Sequence, residues 1–443
     1  MVPSSLFFFL PNEVLGMNIF NCIFSKSNNQ PTEDNLWARG FIQNHPVDHF
    51  HKGIVLGSHK SSKGFGKRKA VTYPGNAPLL VVSPARGGFT TSIAIPTLFS
   101  TDSQFLVAPD INGEHYQALS GYLKDAALKF APASEDTVHY NPLQFVRFRT
   151  EHELRDIMQI AHALIGNHDM DGLFAKMAST VIVDAIQQVF AEGKRLHDAV
   201  PFTDQIVMLD GDMDYLDLGY AKPDITLNAV YQLIHDTPEK LNHLQGRLEG
   251  NEWSGVLKTS ESILSPFTDP LIAKATADCE GLYCRYHKGI FLVTGALDVQ
   301  RLAPLFRVIV EQQLRSGFDS PTLLCGKNSL LVLDNLSELG YLPSLRKSLP
   351  VAGDRDLKFL LHTHSVRQIE VVYGAAAAGI LENSTTRVYL APVQIGDDIA
   401  YMAWRSMGAR KDSAVIFEGE KPFAVIDKAP WYRDNTMLLK SRL

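Results

Sequence analysis

Leu79-Leu80-Val81-Val82-Ser83-Pro84-Ala85-Arg86-Gly87-Gly88-Phe89-Thr90-Thr91 is the stretch that decides the fold. Four apolar residues end at Ser-Pro, a Gly-Gly turn follows, and an apolar run at helical spacing extends from about Thr90 to Ser100. Phe105-Leu106-Val107-Ala108 repeats the buried-strand pattern and ends near Asp110. Short apolar runs that alternate with helices imply a parallel sheet with crossover helices. A glycine turn at a helix start is also where a phosphate-binding loop forms. Glycines let backbone amides approach the anion, the helix end favours negative charge, and a lysine reaches the terminal phosphates. Here the lysine position holds Phe89.

Outward from this stretch the character changes twice. Across about 150–275, Ile157, Ile160, Ala161 and Leu164, then Val181, Val183, Ile186 and Val189, recur at helical spacing with few strand signals. The buried-strand pattern then returns at Ile290–Val293, Leu330–Leu333, Phe359–Leu361 and Val388–Leu390. This predicts an α/β domain over 37–148 and 277–443, split by an all-helical domain over 149–276, with 1–36 as an N-terminal segment and linker. The apolar patches Leu6–Leu10 and Met17–Phe24 are too short to span a bilayer, so a cytoplasmic protein, at most peripheral at a membrane, is expected. A net charge of −6 argues against bulk coating by nucleic acid. Four scattered cysteines fit a reducing compartment.

The ordered series Asp110-Ile111-Asn112-Gly113-Glu114, Asn141-Pro142-Leu143, Trp253-Ser254-Gly255, Phe267-Thr268-Asp269-Pro270, Leu333-Asp334-Asn335-Leu336-Ser337-Glu338 and Tyr373-Gly374 adds specificity. With the closing Lys421-Pro422-Phe423 and Trp431-Tyr432-Arg433-Asp434, it resembles the TraG-type coupling proteins of type IV secretion and conjugation from about Trp37 to Arg433. The resemblance implies a RecA-like P-loop NTPase fold with a mostly parallel sheet, interrupted by a helical domain. It also implies type IV secretion partners, a DNA or protein substrate, and a ring of like subunits or one shared with an active paralogue.

The departures concern the chemistry. Where the family loop reads Thr-Arg-Ser-Gly-Lys-Gly, this chain has Ala85-Arg86-Gly87-Gly88-Phe89-Thr90, followed by Thr91. The family's Asp-Glu pair, which holds Mg²⁺ and activates water, is Asp334-Asn335 here; asparagine cannot accept the proton. His364-Ser365 stands for the family's Gln-Ser sensor, and Asn112 for a lysine. Gly353 falls nearest the arginine finger, with Arg355 two residues on as a substitute. The expectation is a vestigial nucleotide loop at Arg86, Gly87, Gly88, Phe89, Thr90, Thr91 and Asp334, and no cofactor. ATP and Mg²⁺ belong to the alternative of a slow or partner-completed ATPase.

Other candidates read as ordinary surface. Lys60, Lys63, Lys67, Arg68 and Lys69 could meet phosphate or anionic lipid, or form a solvated hairpin loop. Asp210, Asp212 and Asp214 lack the glycine and closing glutamate of a calcium loop. His45, His49 and His51, and the pair Cys279 and Cys284, lack the partners that would fix a metal, so no metal is expected.

Overall fold

A computed structural model describes residues 41, 53–60, 68–147, 150–166, 173–197, 225–279, 287–319, 329–390, 409–419 and 421–443. Residues 1–36, the three clustered histidines, the 210–214 acidic run, Cys284, Lys63 and Lys67 lie outside them.

Eleven strands among the described residues form one sheet in the order β2-β1-β11-β10-β9-β3-β8-β7-β4-β6-β5. They are β1 (Ile54–Lys60), β2 (Arg68–Tyr73), β3 (Leu79–Val82), β4 (Gln104–Ile111), β5 (Ala127–Phe130), β6 (Gly289–Thr294), β7 (Ser329–Leu333), β8 (Leu357–Thr363), β9 (Thr386–Leu390), β10 (Ser413–Glu418) and β11 (Lys421–Asp427). From β9 through β5 every pairing is parallel. β10, β11, β1 and β2 extend the other edge antiparallel. The parallel strands are covered on both faces, which is why β3 and β7 read as unbroken apolar runs. Along β3, Leu80 and Val82 enter one core while Leu79 and Val81 enter the other, as the pleat requires.

The helices are α1 (Ile95–Ser100), α2 (Glu114–Leu123), α3 (Glu153–Ile165), α4 (Leu173–His197), α5 (Leu227–Asp236), α6 (Gly250–Leu264), α7 (Pro270–Ala275), α8 (Val299–Asp319), α9 (Leu336–Leu339), α10 (Leu345–Ser348), α11 (Val366–Tyr373), α12 (Ala377–Asn383) and α13 (Asn435–Lys440). The expected helix from Thr90 enters as a π turn, Thr90–Ala94, before α1. Helices α3 to α7 lie between β5 and β6 with no strand among the described residues. Their core is continuous with one face of the sheet: Ile157, Ile186, Leu227 and Val256 share a cluster with Leu106 and Leu331. In α4, Leu173–Glu192 is long and apolar enough to cross a membrane, yet it seats Val181, Ile182, Ala185 and Ile186 in that core.

Two charged contacts fix this helical part to the sheet domain. Arg147 grips Asp156 with both its Nε (2.8 Å) and a terminal nitrogen (2.7 Å), and Arg315 of α8 lies 3.1 Å from the same carboxylate. Burial alone would raise the Asp156 carboxyl; the hydrogen bonds from Arg147 and the Arg315 charge reverse that and hold it low. Arg307 of α8 is buried and donates to the last carbonyls of α3, Ala163 O (2.6 Å) and Leu164 O (2.7 Å), and to Leu339 O (2.8 Å) at the end of α9. Helix C-termini expose unpaired carbonyls, and a cation satisfies them. Burial holds its guanidinium at a pKa of about 10.

Gly166 ends α3 at φ +56°, and a Cβ there would lie 2.2 Å from Arg307 Cζ. Gly246 has a similar φ of +59° with only Leu244 O nearby, at 3.8 Å. Gly166→Ala is therefore expected to lose about 3 kcal/mol, because it displaces the Arg307 clamp as well as straining the backbone. Gly246→Ala pays only the backbone strain, about 1 kcal/mol. Urea midpoints of the two variants check this; equal shifts would mean the clamp carries no weight.

Candidate functional site

In an open parallel sheet the loops beyond the carboxyl ends of the strands form the binding crevice. Neighbouring strands β3, β8, β7 and β4 deliver Ser83, His362 with His364, Asp334 and Asp110 to that edge. Their polar groups join in a line. Ser83 O lies 2.9 Å from His364 Nδ1 and 3.4 Å from His362 Nε2. His362 Nδ1 is 2.7 Å from Asp334 Oδ1. Across the carboxylate, Asp334 Oδ2 is 3.6 Å from His115 Nε2, and His115 Nδ1 is 3.0 Å from Asp110 Oδ1. Asp110 also accepts the His115 and Tyr116 amides (3.0 and 2.9 Å), fixing the start of α2.

Both oxygens of Asp334 thus face histidine nitrogens. Burial would raise its carboxyl, but the His362 hydrogen bond and the charges of His362, His115 and His364 outweigh burial and lower it. Burial works against the His115 cation; the carboxylates of Asp110, Asp334 and Glu114 prevail and raise its pKa.

Phe89 closes the line from above. Its ring is 3% exposed and stacks on His362 with centroids 4.1 Å apart and planes 5° from parallel. Such a pair adds roughly 1 kcal/mol beyond area burial. Beneath it the loop turns tightly: Gly87 N donates to Pro84 O (2.7 Å), Arg86 sits at φ +61° and Gly88 at φ +100°. Thr91 reaches back only weakly, to Gly88 O at 3.5 Å. Asn335 stands at φ +56°, a conformation asparagine tolerates better than most residues, and its Oδ1 accepts from Ser337.

The sequence-predicted residues divide accordingly. Phe89, Asp334, Asn335 and His364 come together around His362. Arg86 is exposed on the loop. Arg355 is exposed before β8, at the end away from His364 and on the order of 20 Å off by strand rise. Lys60 is exposed and Lys69 half-buried on the antiparallel edge, paired in register with Arg68 and His59 respectively. Sequence reasoning missed His115, His362 and Lys428. The first two were legible only as polar residues beside Glu114 and His364. Lys428 carried no local signal: its Nζ donates to Gly87 O (2.7 Å) across the fold and to Lys411 O (2.9 Å). Burial lowers its pKa.

The residues present do not fit a magnesium nucleotide as arranged. The Phe89 ring lies over His362, and one Asp334 oxygen is held by His362 Nδ1, so the loop offers a ring and not a cation, and the strand end a carboxylate already bonded to a histidine. Among the described residues no three His, Cys, Asp or Glu side chains converge on a metal position.

A family model described as type IV secretory system conjugative DNA transfer matches residues 45–409. Two conjugal transfer proteins TraG of Escherichia coli are each 25% identical, over 352 and 323 residues, covering 72% and 67% of this chain. The chain spans about half the length of these curated relatives, 52% and 50%. Among solved structures, the bacterial conjugative coupling protein TrwBdeltaN70 aligns at TM-score 0.59 and 15% identity, covering 88% of this chain and 97% of that one. TrwB in complex with the non-hydrolysable ATP analogue ADPNP aligns equally well, at TM-score 0.59 and 15% identity over 81% and 87%. VirB4 of Thermoanaerobacter pseudethanolicus reaches 0.52 at 16% identity over 86% and 97%. These likenesses establish the P-loop NTPase fold.

The buried line has a pH signature. His115, raised above its ordinary 6.5, contributes stability that is complete below about pH 6.5 and is lost as pH rises through its folded value. Asp334, lowered, contributes above about pH 4 and loses that contribution as pH falls through its folded value. Thermal midpoints are expected to decline from pH 6.5 to 9, and His115→Gln to flatten that alkaline limb alone. An unchanged slope in the variant would remove His115 as its source.

Proposed function

The chain belongs to the type IV secretory system conjugative DNA transfer family, and on that premise we propose that it recruits or docks a transfer substrate at the secretion channel without hydrolysing ATP. The observation that carries this reading is the Asp334 carboxylate, faced by two histidines beneath the Phe89–His362 stack. Nucleotide hydrolysis uses a loop cation, a carboxylate available to the metal, and a group that activates water. Phe89 stands in place of the first, His362 engages the second with His115 facing its other oxygen, and Asn335 cannot serve as the third. Loss of one such electrostatic group costs about 2–4 kcal/mol of transition-state stabilisation. Three together leave no useful rate. The helical part over 149–276 then faces the substrate, DNA or protein. The remaining partners are secretion components and, in a ring, further copies or an active paralogue.

A second reading, a partner-completed ATPase, is favoured by Lys428. It brings an ammonium to the loop from β11's end, where Phe89 has removed one. Arg355 is exposed at the opposite end of β8, and in this reading it would serve a neighbouring subunit's site.

Calorimetry with ATP and Mg²⁺, alongside a phosphate-release assay on the purified chain, separates the two. Neither heat nor turnover is expected. Turnover overturns the docking reading, and binding abolished by Lys428→Met transfers weight to the second.

A further inference from the structure

Helix α13 buries one side and leaves the other bare. Met437 enters the core shared by Phe99 and Leu119. Leu439, two residues on, lies about 200° round the helix from it and so faces outward. It is 66% exposed. Arg442, whose amide returns to Leu439 O at 3.1 Å, adds an exposed arginine on that outward side. The preceding turn, Trp431–Arg433, and the end of α2 extend the surface. Phe99 stands between Tyr122 and Trp431, with ring centroids 5.7 and 6.2 Å away, and Tyr432 meets Trp431 edge-on at 6.2 Å. Lys440 Nζ lies 4.7 Å from the centre of the Tyr122 ring, which joins α13 to α2. Tyr122 and Tyr432 remain 37% and 49% exposed. Single exposed apolar residues need no explanation, but three around one aromatic cluster mark an interaction surface.

The charge of this surface is opposite in sense to that of the chain, which is net −6. Lys124, directly after α2, and Arg433 and Arg442 are exposed, and none of the three forms an ion pair among the described residues. Of the acids adjacent to them in sequence, Asp434 caps α13, accepting the Thr436 and Met437 amides at 2.9 and 3.0 Å, and Asp125 stays exposed. The combination selects a kind of partner. Tyrosine and tryptophan carry an apolar body and a polar edge; arginine and lysine carry an apolar stem and a charged head. Both types settle where acyl chains give way to headgroups. Unpaired cations add attraction to lipid phosphate. An outward leucine contributes nothing to a contact with phosphate alone.

We propose that α13, with the Trp431–Arg433 turn and the end of α2, lies against an anionic lipid surface. Leu439 and Tyr432 enter the headgroup region, and Tyr122 and Trp431 stand at its border. Lys124, Arg433 and Arg442 meet lipid phosphates. The binding is interfacial, with a shallow apolar insertion held in place by charge. The inference goes beyond the docking reading and uses no residue of the glycine loop, so the vesicle and nucleotide assays can fail separately.

The test is co-sedimentation of the full chain with phosphatidylcholine vesicles, with and without phosphatidylglycerol. Binding is expected only to the vesicles that contain phosphatidylglycerol, and it should weaken as salt is raised. Bulk charge predicts the reverse, because a chain of net −6 is repelled by an anionic surface. Arg433→Glu with Arg442→Glu should weaken binding about tenfold or more, and Tyr432→Ser with Leu439→Ser by a similar factor. All four positions are exposed, and unchanged thermal midpoints confirm that the variants fold. No binding, or binding that survives both double variants, overturns the proposal. Binding that responds to the arginine pair but not to Tyr432→Ser with Leu439→Ser also overturns it, in favour of a polyanion other than a bilayer. An oligomer in solution that Tyr432→Ser with Leu439→Ser converts to monomer overturns it in favour of a second copy of the chain.

Discussion

A carboxylate at the end of a central strand must find positive charge or lose its own. Asp334 sits at the carboxyl end of β7, between β8 and β4, and much of the site's geometry follows from how that demand is met. His362 approaches from one neighbouring strand and His115 from the helix that follows the other. On the far side of each histidine, Ser83 O meets His362 and Asp110 meets His115, while the His115 nitrogen facing Asp334 stays 3.6 Å from it without a hydrogen bond. The line is therefore tied to strand order. Four parallel neighbours, whose residues lie far apart in sequence, each contribute a member. Phe89 fits this arrangement because an aromatic ring covers an imidazole well and brings no competing charge.

The fold was largely legible in the sequence because a strand buried on both faces has to be apolar throughout. Leu79–Val82, Leu330–Leu333 and Phe359–Leu361 all show it, and the long interval of helical periodicity stands between two such sets. The antiparallel edge was less legible. Arg68–Tyr73 opens Arg-Lys, and Ser413–Glu418 carries no strong boundary residues, so their pairing is set by neighbours more than by composition. At the site, the substituted loop and strand-end positions were visible as motif departures. The histidines that make sense of them were not, because nothing local marks His362 as the partner of Asp334 or His115 as its counterpart. Those relations exist only once the strand order is known.

The helical part follows a different rule. Its core runs on into the sheet without a polar boundary, and two charged side chains' contacts pin its first helix: the Asp156 pair near the start and the Arg307 guanidinium on its last carbonyls. Arg307 also holds the end of α9, the short helix directly after Asp334-Asn335. One guanidinium therefore ties the last turn of α3 to the segment beside the half-buried Asp334 carboxylate. A rigid tilt of α3 could not occur without moving that segment.

The reach of Lys428 bears on how the chain is made. Its ammonium meets Gly87 across 341 positions of sequence, and β11 must first lie against β10 and β1 before the side chain can arrive. Gly57 permits that approach, since a Cβ there would stand 2.4 Å from Asp427 O. During synthesis, the glycine loop leaves the ribosome long before the residue that completes it. Contacts so distant along the chain close slowly. A nascent chain that stalled before β11 would hold every parallel strand and lack both the strand joining β1 and β2 to the rest of the sheet and the ammonium on its loop.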